Sequence, residues 1–296
     1  MKNLFFLISF SFTFLTEYGQ VDKYYTSIEE ALKTPNNVFR LELMGVDEKT
    51  IEENIEKFIN LKELVLIAEL NSLPEKVCNL ANLTSLNLTE NKIQTLPESI
   101  GKLKNLKVLN LGYNRISILP DNFGELKNLE ILTLDGNQLD TLPQSFSNLV
   151  NLKELHMVQN NFKTVPIEIT KLMNLTALRL SSNQLNGVRD EISKLDNLTE
   201  LDLGRNMLYK FPESITKIKA LKILKLHQNG LSALSNSLVE LKNLKRLDLE
   251  DNSLVSLPKN ITELVNISEI RLQGNILLTL TPEQKKYLEG RRIEEK

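Results

Sequence analysis

Two histidines, one cysteine and a scatter of carboxylates are the side chains of this 296-residue sequence from which catalysis or metal binding could be built. His156 and His227 fall at neighbouring places in a recurring pattern, three recurrences apart. If each recurrence adds one strand, the two rings lie about 14 Å apart. That is too far to share a metal ion, whose nitrogen ligands sit about 2 Å away. Cys78 is the single cysteine, which excludes an internal disulfide and a cysteine-based zinc site; it reads as a small buried apolar residue. Asp135 or Asp202 could hydrogen-bond a neighbour, but no serine or cysteine nucleophile with its base and orienting acid is evident. Gly112, Gly136, Gly204 and Gly274 recur at fixed spacing and read as turn residues, not as a phosphate-binding loop. The sequence therefore predicts no catalytic residue, no metal site, no cofactor and no enzymatic activity. The glycosylation sequons Asn174-Leu175-Thr176 and Asn197-Leu198-Thr199 read as by-products of a repeating N-L-T register.

The elements that position these side chains follow from a rhythm of leucines. The pattern L-x-x-L-x-L-x-x-N starts at Leu83, Leu106, Leu129, Leu152, Leu175, Leu198, Leu221, Leu244 and Ile267, each 23 residues after the last. Earlier starts fall at Leu61 and Val38, which makes eleven units. Within a unit such as that from Leu83, Leu86 and Leu88 are two apart, the spacing of a strand with one buried face. Ile93, Leu96, Ile100 and Leu103 supply inward-pointing groups on the return path. Pro97 follows Leu96, with Pro74, Pro120, Pro143, Pro166, Pro212 and Pro258 at the equivalent place, where a preset φ starts the outer segment. No unit can bury its own apolar face alone, so neighbours must stack.

Asn91, Asn114, Asn137, Asn160, Asn183, Asn206, Asn229, Asn252 and Asn275 form an unbroken series one turn after each strand. There the chain bends inward and its backbone groups lose their sheet partners. An amide side chain offers both donor and acceptor and can satisfy them, so the series reads as a structural ladder.

The run L-P-x-x-I-x-x-L-x-N-L-x-x-L-x-L-x-x-N-x-[LI], as it stands from Leu96 to Ile116, resembles the typical and Ras-group class of leucine-rich repeat proteins. The resemblance covers about nine-tenths of the chain. It implies an α/β repeat solenoid: a right-handed leucine-rich repeat horseshoe with a parallel β-sheet on the concave face and short irregular, 3-10 or helical segments on the convex face. It also implies a binding protein of the bacterial exported type. Cysteine-rich caps, common in extracellular animal members of the family, are absent, which points to a bacterial or an intracellular protein.

The expected organisation is a signal peptide over 1–19, an N-terminal capping segment over 20–37, eleven repeats over 38–280 and a C-terminal capping helix over 281–296. Lys2, the apolar run Leu4 to Leu15 and Gly19 read as a secretory signal, although Glu17 fits the small-x-small rule poorly. A mostly apolar run of twelve residues is too short to span a bilayer, and no cysteine near the run offers a lipid anchor. Ser27-Ile28-Glu29-Glu30 fits a capping box opening a short helix that ends before Pro35, and 47–58 reads as an outer helix. Thr281-Pro282-Glu283 opens a charged helix to Arg292, so both ends read as complete, with no further domain. Three units depart from the pattern: Glu69 stands where asparagine is expected in a shortened unit, and Arg189 and Ser235 replace proline. Drift on a tolerant convex face and a local change of curvature both account for this.

Between the second and third leucines the sequence runs Glu42, Val65, Asn87, Asn110, Thr133, His156, Arg179, Asp202, Lys225, Asp248, Arg271, and its later half alternates in sign. Opposite charges on neighbouring strands stabilise a sheet by themselves; equally, a mixed-charge surface selects a complementary partner. The candidate contact residues are Tyr113, His156, Arg179, Arg205, Lys225 and His227. A net charge of −2 gives no reason to expect nucleic acid. The expected function is non-catalytic recognition of a protein or glycan through the concave face, outside the cytoplasm as a secreted, periplasmic or surface protein. A cytoplasmic Ras-group-like signalling scaffold and a structural adhesin or spacer are the alternatives. No membrane span is expected in the mature chain.

Overall fold

The computed structural model describes residues 23–291. They form one twelve-stranded parallel sheet in which every strand pairs with its neighbours in sequence. The strands are Tyr24–Tyr25 (β1), Arg40–Met44 (β2), Glu63–Ile67 (β3), Ser85–Asn87 (β4), Val108–Asn110 (β5), Ile131–Thr133 (β6), Glu154–His156 (β7), Ala177–Arg179 (β8), Glu200–Asp202 (β9), Ile223–Lys225 (β10), Arg246–Asp248 (β11) and Glu269–Arg271 (β12). The architecture is an open leucine-rich repeat horseshoe. β1 has no counterpart in the repeat pattern: it pairs with β2 from within the expected capping segment. The expected signal peptide lies outside the described residues, and none of the described helices is long and apolar enough to cross a membrane.

Each strand is short because only its central leucine and the residue two places on face inward before the chain turns. Leu86, Leu109, Leu132, Leu155, Leu178 and Leu201 are fully buried, as are Leu88, Leu111 and Leu134. The turn then forces one residue per unit into left-handed backbone. Glu90, Tyr113, Gly136, Gln159, Ser182, Arg205, Gln228, Asp251 and Gly274 all have φ between 49° and 74°, each directly before a ladder asparagine. This corrects the sequence reading of the turn glycines. Gly136 and Gly274 occupy the left-handed step, whereas Gly112 and Gly204 stand one place earlier with ordinary φ. Gly204 makes room instead, since a Cβ there would meet the His227 ring at 2.2 Å.

The ladder asparagines bind the backbone they leave bare. Asn137 Nδ2 donates to the carbonyls of Leu111 at 2.9 Å, Leu134 at 3.0 Å and Asp135 at 3.3 Å, and its Oδ1 accepts from Ile116 N at 2.9 Å. Asn91 of the next unit serves the shortened one: its Oδ1 accepts from both Ala68 N and Leu70 N at 3.0 Å, while Glu69 turns outward to Lys92.

A second asparagine series runs along the other edge. Asn105, Asn128, Asn151, Asn174 and Asn197 each donate from Nδ2 to a carbonyl 24 residues back, at 2.8 to 2.9 Å. Ala220 takes the next place, and Asn243 resumes the series by donating to Lys219 O. Thr176 and Thr199 hydroxyls donate to Lys153 O and Thr176 O. Both ends of the Asn-Leu-Thr triplets therefore stitch adjacent units, a role the sequence reading did not give them.

On the convex side, short 3-10 turns follow the prolines, as in Glu98–Lys102 after Pro97. Arg189 (φ −68°, ψ 148°) and Ser235 (φ −72°, ψ 144°) hold nearly the backbone of Pro120 (φ −69°, ψ 157°), so these substitutions leave the local path unchanged. At the N-terminal end, Ser27 caps Ile28–Ala31 (α1), but Glu30 pairs with Lys23 in place of closing the box. Asp47 caps Glu48–Asn54 (α2), and a 3-10 turn continues it to Lys57. The C-terminal helix, Pro282–Leu288 (α3), opens on a complete Thr281–Gln284 capping box. It ends at Leu288, short of the expected Arg292, which lies outside the described residues. Gly290 takes φ 76° just beyond, and left-handed backbone stops a helix.

Candidate functional site

A strand with one buried leucine presents its two flanking side chains on the opposite, open face. Twelve strands in register turn these into two columns; β2 and β3 carry Arg40, Glu42 and Glu63, and from β4 onward the face divides into unlike halves. From β4 to β6 the residues are Ser85, Val108 and Ile131 beside Asn87, Asn110 and Thr133, with no charge among them. From β7 onward the first column carries Glu154, Glu200, Arg246 and Glu269, and the second carries His156, Arg179, Asp202, Lys225, Asp248 and Arg271.

The charged half is compensated within the chain. Arg179 grips Glu200 with two donors, Nε to Oε1 at 3.1 Å and an Nη to Oε2 at 3.3 Å. Lys225 lies 3.4 Å from the same Glu200 and 3.5 Å from Asp202. Glu269 pairs with both Arg246 and Arg271. Two of these five pairs, Arg179–Glu200 and Lys225–Glu200, run diagonally between columns, so the in-column alternation of sign is only part of the network. The sequence reading omitted Glu200, Arg246 and Glu269, which sit two residues before charges it did single out. Burial pushes the Glu200 carboxyl up, but Arg179 and Lys225 outweigh this and hold it below the usual range.

Asparagine and aspartate in the second column have a local task as well. Asn87 Oδ1 accepts from Thr89 N and Asn110 Oδ1 from Gly112 N, both at 2.9 Å. Asp202 and Asp248 do the same for Gly204 N and Glu250 N. These short side-chain turns close the strand end. An Asn or Asp two residues before the turn was a signal available in the sequence.

At the seam between the halves sit Asp135 and His156. Burial raises the Asp135 carboxyl to about 6, against the backbone N–H of Val158, which donates to it at 2.7 Å, and the attraction of Arg179. Burial, helped by the Arg179 charge, lowers His156 to about 4. Its Nε2 has Glu154 at 3.7 Å, beyond hydrogen-bond reach, and no hydrogen-bond partner among the described residues.

The six candidate contact residues therefore differ in availability. Tyr113 is 60% exposed, and Arg205 is exposed too, both on the left-handed step at the rim of the sheet. Arg179 and Lys225 are held in ion pairs. His227 Nδ1 lies 3.5 Å from Asp248 Oδ2, with its ring over Gly204. His156 is only 6% exposed. Among the described residues no group of three or more histidine, cysteine, aspartate or glutamate side chains is placed to hold a metal ion.

Comparison with known proteins agrees with this geometry. The family models described as leucine-rich repeat region and leucine rich repeat match residues 100–207, 59–116 and 243–264. No curated protein matches the sequence. Among solved structures, a TDR receptor is similar with 27% identity and a TM-score of 0.70, over 83% of this chain and 44% of its own. The leucine-rich repeat ectodomain of the plant membrane receptor kinase GASSHO1/SCHENGEN3 from Arabidopsis thaliana shares 26% identity with a TM-score of 0.64, over 91% of this chain and 36% of its own. An internalin from Listeria monocytogenes, 17% identical with a TM-score of 0.64 over 83% of this chain and 81% of its own, shares the fold. The chain thus spans less than half the length of these two receptor chains. With the repeat matched by family models along most of the solenoid and the same sheet found in its structural neighbours, the chain belongs to the leucine-rich repeat proteins.

Proposed function

We propose that this chain is a non-catalytic recognition solenoid, exported from the cytoplasm, which holds a protein or glycan partner on the open face of its sheet. The observation that carries the reading is the unlike character of the two halves. The neutral half offers side chains that are not tied up in ion pairs, while the charged half balances itself internally. A partner meeting the neutral half displaces no ion pair, and Tyr113 stands at its rim as an exposed aromatic anchor. Arg205 is an exposed cation of the other half. Arg179, Lys225 and His227 act through the pattern of charge they present, which rejects a partner of the wrong sign, and His156 supports the surface from beneath. Similarity to receptor ectodomains supports both recognition and export, as does the run Leu4 to Leu15.

Two measurements test this. The immobilised chain should capture a partner from the extracellular medium of its source. Tyr113→Ala combined with Asn110→Ala should weaken that capture by more than about tenfold, while Lys171→Ala on the convex side leaves it unchanged. Equal capture by both variants moves the contact off the neutral half. For export, N-terminal sequencing of material recovered outside the cytoplasm should start near Gln20 or Val21; an intact Met1 confined to the cytoplasm overturns that part.

A further inference from the structure

The sequence holds two Asn-Gly pairs, Asn186-Gly187 and Asn229-Gly230. Such a pair is the setting in which an asparagine amide is most easily lost, because glycine leaves the following backbone nitrogen unhindered. That nitrogen attacks the side-chain carbonyl carbon, a C–N bond forms, and the amide nitrogen departs as ammonia with the proton the backbone nitrogen gives up. Water then opens the resulting succinimide to aspartate or to isoaspartate.

The fold treats the two pairs oppositely. Asn229 is a ladder residue whose Nδ2 donates to Leu203 O, Leu226 O and His227 O at 3.0 to 3.2 Å, and whose Oδ1 accepts from Leu208 N at 3.0 Å. The nitrogen that would attack, Gly230 N, donates to Leu208 O at 2.9 Å. Reaction there requires opening the ladder between two units. Asn186 is exposed, and its side chain makes no hydrogen bond among the described residues. Its segment is held by its own backbone N–H on Lys163 O and by one isolated bridge between Gly187 and Thr164. Opening so small a contact is a local event.

Gly187 also lacks a structural reason to be glycine. Its φ is not in the left-handed range, and a Cβ built on it meets nothing within 4 Å. By contrast a Cβ at Gly230 would lie 2.7 Å from the Tyr209 ring. We infer that Asn186 is a site of spontaneous deamidation through Gly187, and that the asparagine ladder protects Asn229 from the same reaction. Modification adds one negative charge to the rim loop beside Lys163 and, as isoaspartate, one extra backbone carbon.

The full folded chain, incubated at mildly alkaline pH and followed by peptide mapping with mass spectrometry, tests the inference. Asn186 should convert to a mixture of aspartate and isoaspartate more than about tenfold faster than Asn229. In denaturant the two rates should converge, since the sequence context is then alike. Gly187→Ala, which the open space accommodates, should slow conversion at Asn186 and leave the melting curve unchanged. Conversion of Asn229 as fast as Asn186 in the folded chain, or undiminished conversion in Gly187→Ala, would overturn it.

Discussion

The neutral and charged halves of the sheet face rest on the same core and differ only in what they show to solvent. Leu109 beneath the one and Leu201 beneath the other are both fully buried, in strands of equal length and register. Above them, Asn110 and Val108 stand without counter-charges, while Arg179, Glu200, Lys225 and Asp202 form a connected network. The lesson is that a repeat separates stability from recognition by position. Inward residues are constrained by stacking on both sides, and outward ones are not, so the surface can change along the stack without disturbing the fold.

The sharpest test of that separation is also the largest effect. Leu109→Ala and Leu201→Ala should each destabilise by about 2–5 kcal/mol, and by similar amounts, as read from denaturant unfolding. A much smaller loss at Leu201 would mean that the ion pairs above it carry stability that we assign to the core.

The seam gives the second test. His156, lowered by burial to about 4, takes up a proton less readily folded than unfolded, so it withdraws stability as pH falls from about 6.5 to about 4. Asp135, raised by burial to about 6, holds its proton more readily folded, so it restores stability as pH falls through about 6 towards 4. The two trends oppose each other in one window, and the wild-type midpoint should change little there. Asp135→Asn removes one of them, and its stability should fall by on the order of 2 kcal/mol between pH 7 and 4. A variant as flat as the wild type would show that His156 is not desolvated.

The smallest expected effect comes from the network itself. Glu200→Gln keeps the shape but leaves Arg179 and Lys225 short of their shared carboxylate. Both cations keep some solvent contact, so the loss should be about 1 kcal/mol at low salt and should shrink as salt rises. A loss that is large and indifferent to salt would make the charged half a structural element and blur its contrast with the neutral one.

Much of this architecture is legible in the residues alone. Leucines at two-residue spacing and asparagines every 23 residues act through contacts with the adjacent unit, and identical neighbours make that environment predictable. The same logic exposes what was passed over. Asn105 to Asn197 recur as regularly as the inner ladder, yet two of the five, Asn174 and Asn197, sit in an Asn-Leu-Thr triplet that has another meaning in sequence, and the carbonyl partners 24 residues back appear only in the fold. The diagonal grip of Arg179 on Glu200 depends on register and rotamer, which no column of residue types specifies. The availability of His156 was unreadable for a similar reason: a place facing the open side is expected to be accessible, and neighbouring side chains close over it. At the C-terminal end, charged residues beyond Leu288 prolong a helical pattern that Gly290 interrupts.

The left-handed step before each ladder asparagine has a further bearing on what the rim is for. Left-handed backbone disfavours any residue with a Cβ by roughly 1 kcal/mol relative to glycine. Even so, eight non-glycine residues among those described adopt it, and seven of them occupy that step, Tyr113 and Arg205 included. Filling those seven places with glycine would relax a conformational penalty incurred unit after unit. It would also strip the edge of the sheet of the exposed Tyr113 ring and of the exposed Arg205 guanidinium. A chain relaxed in that way would be a sturdier spring with blank margins.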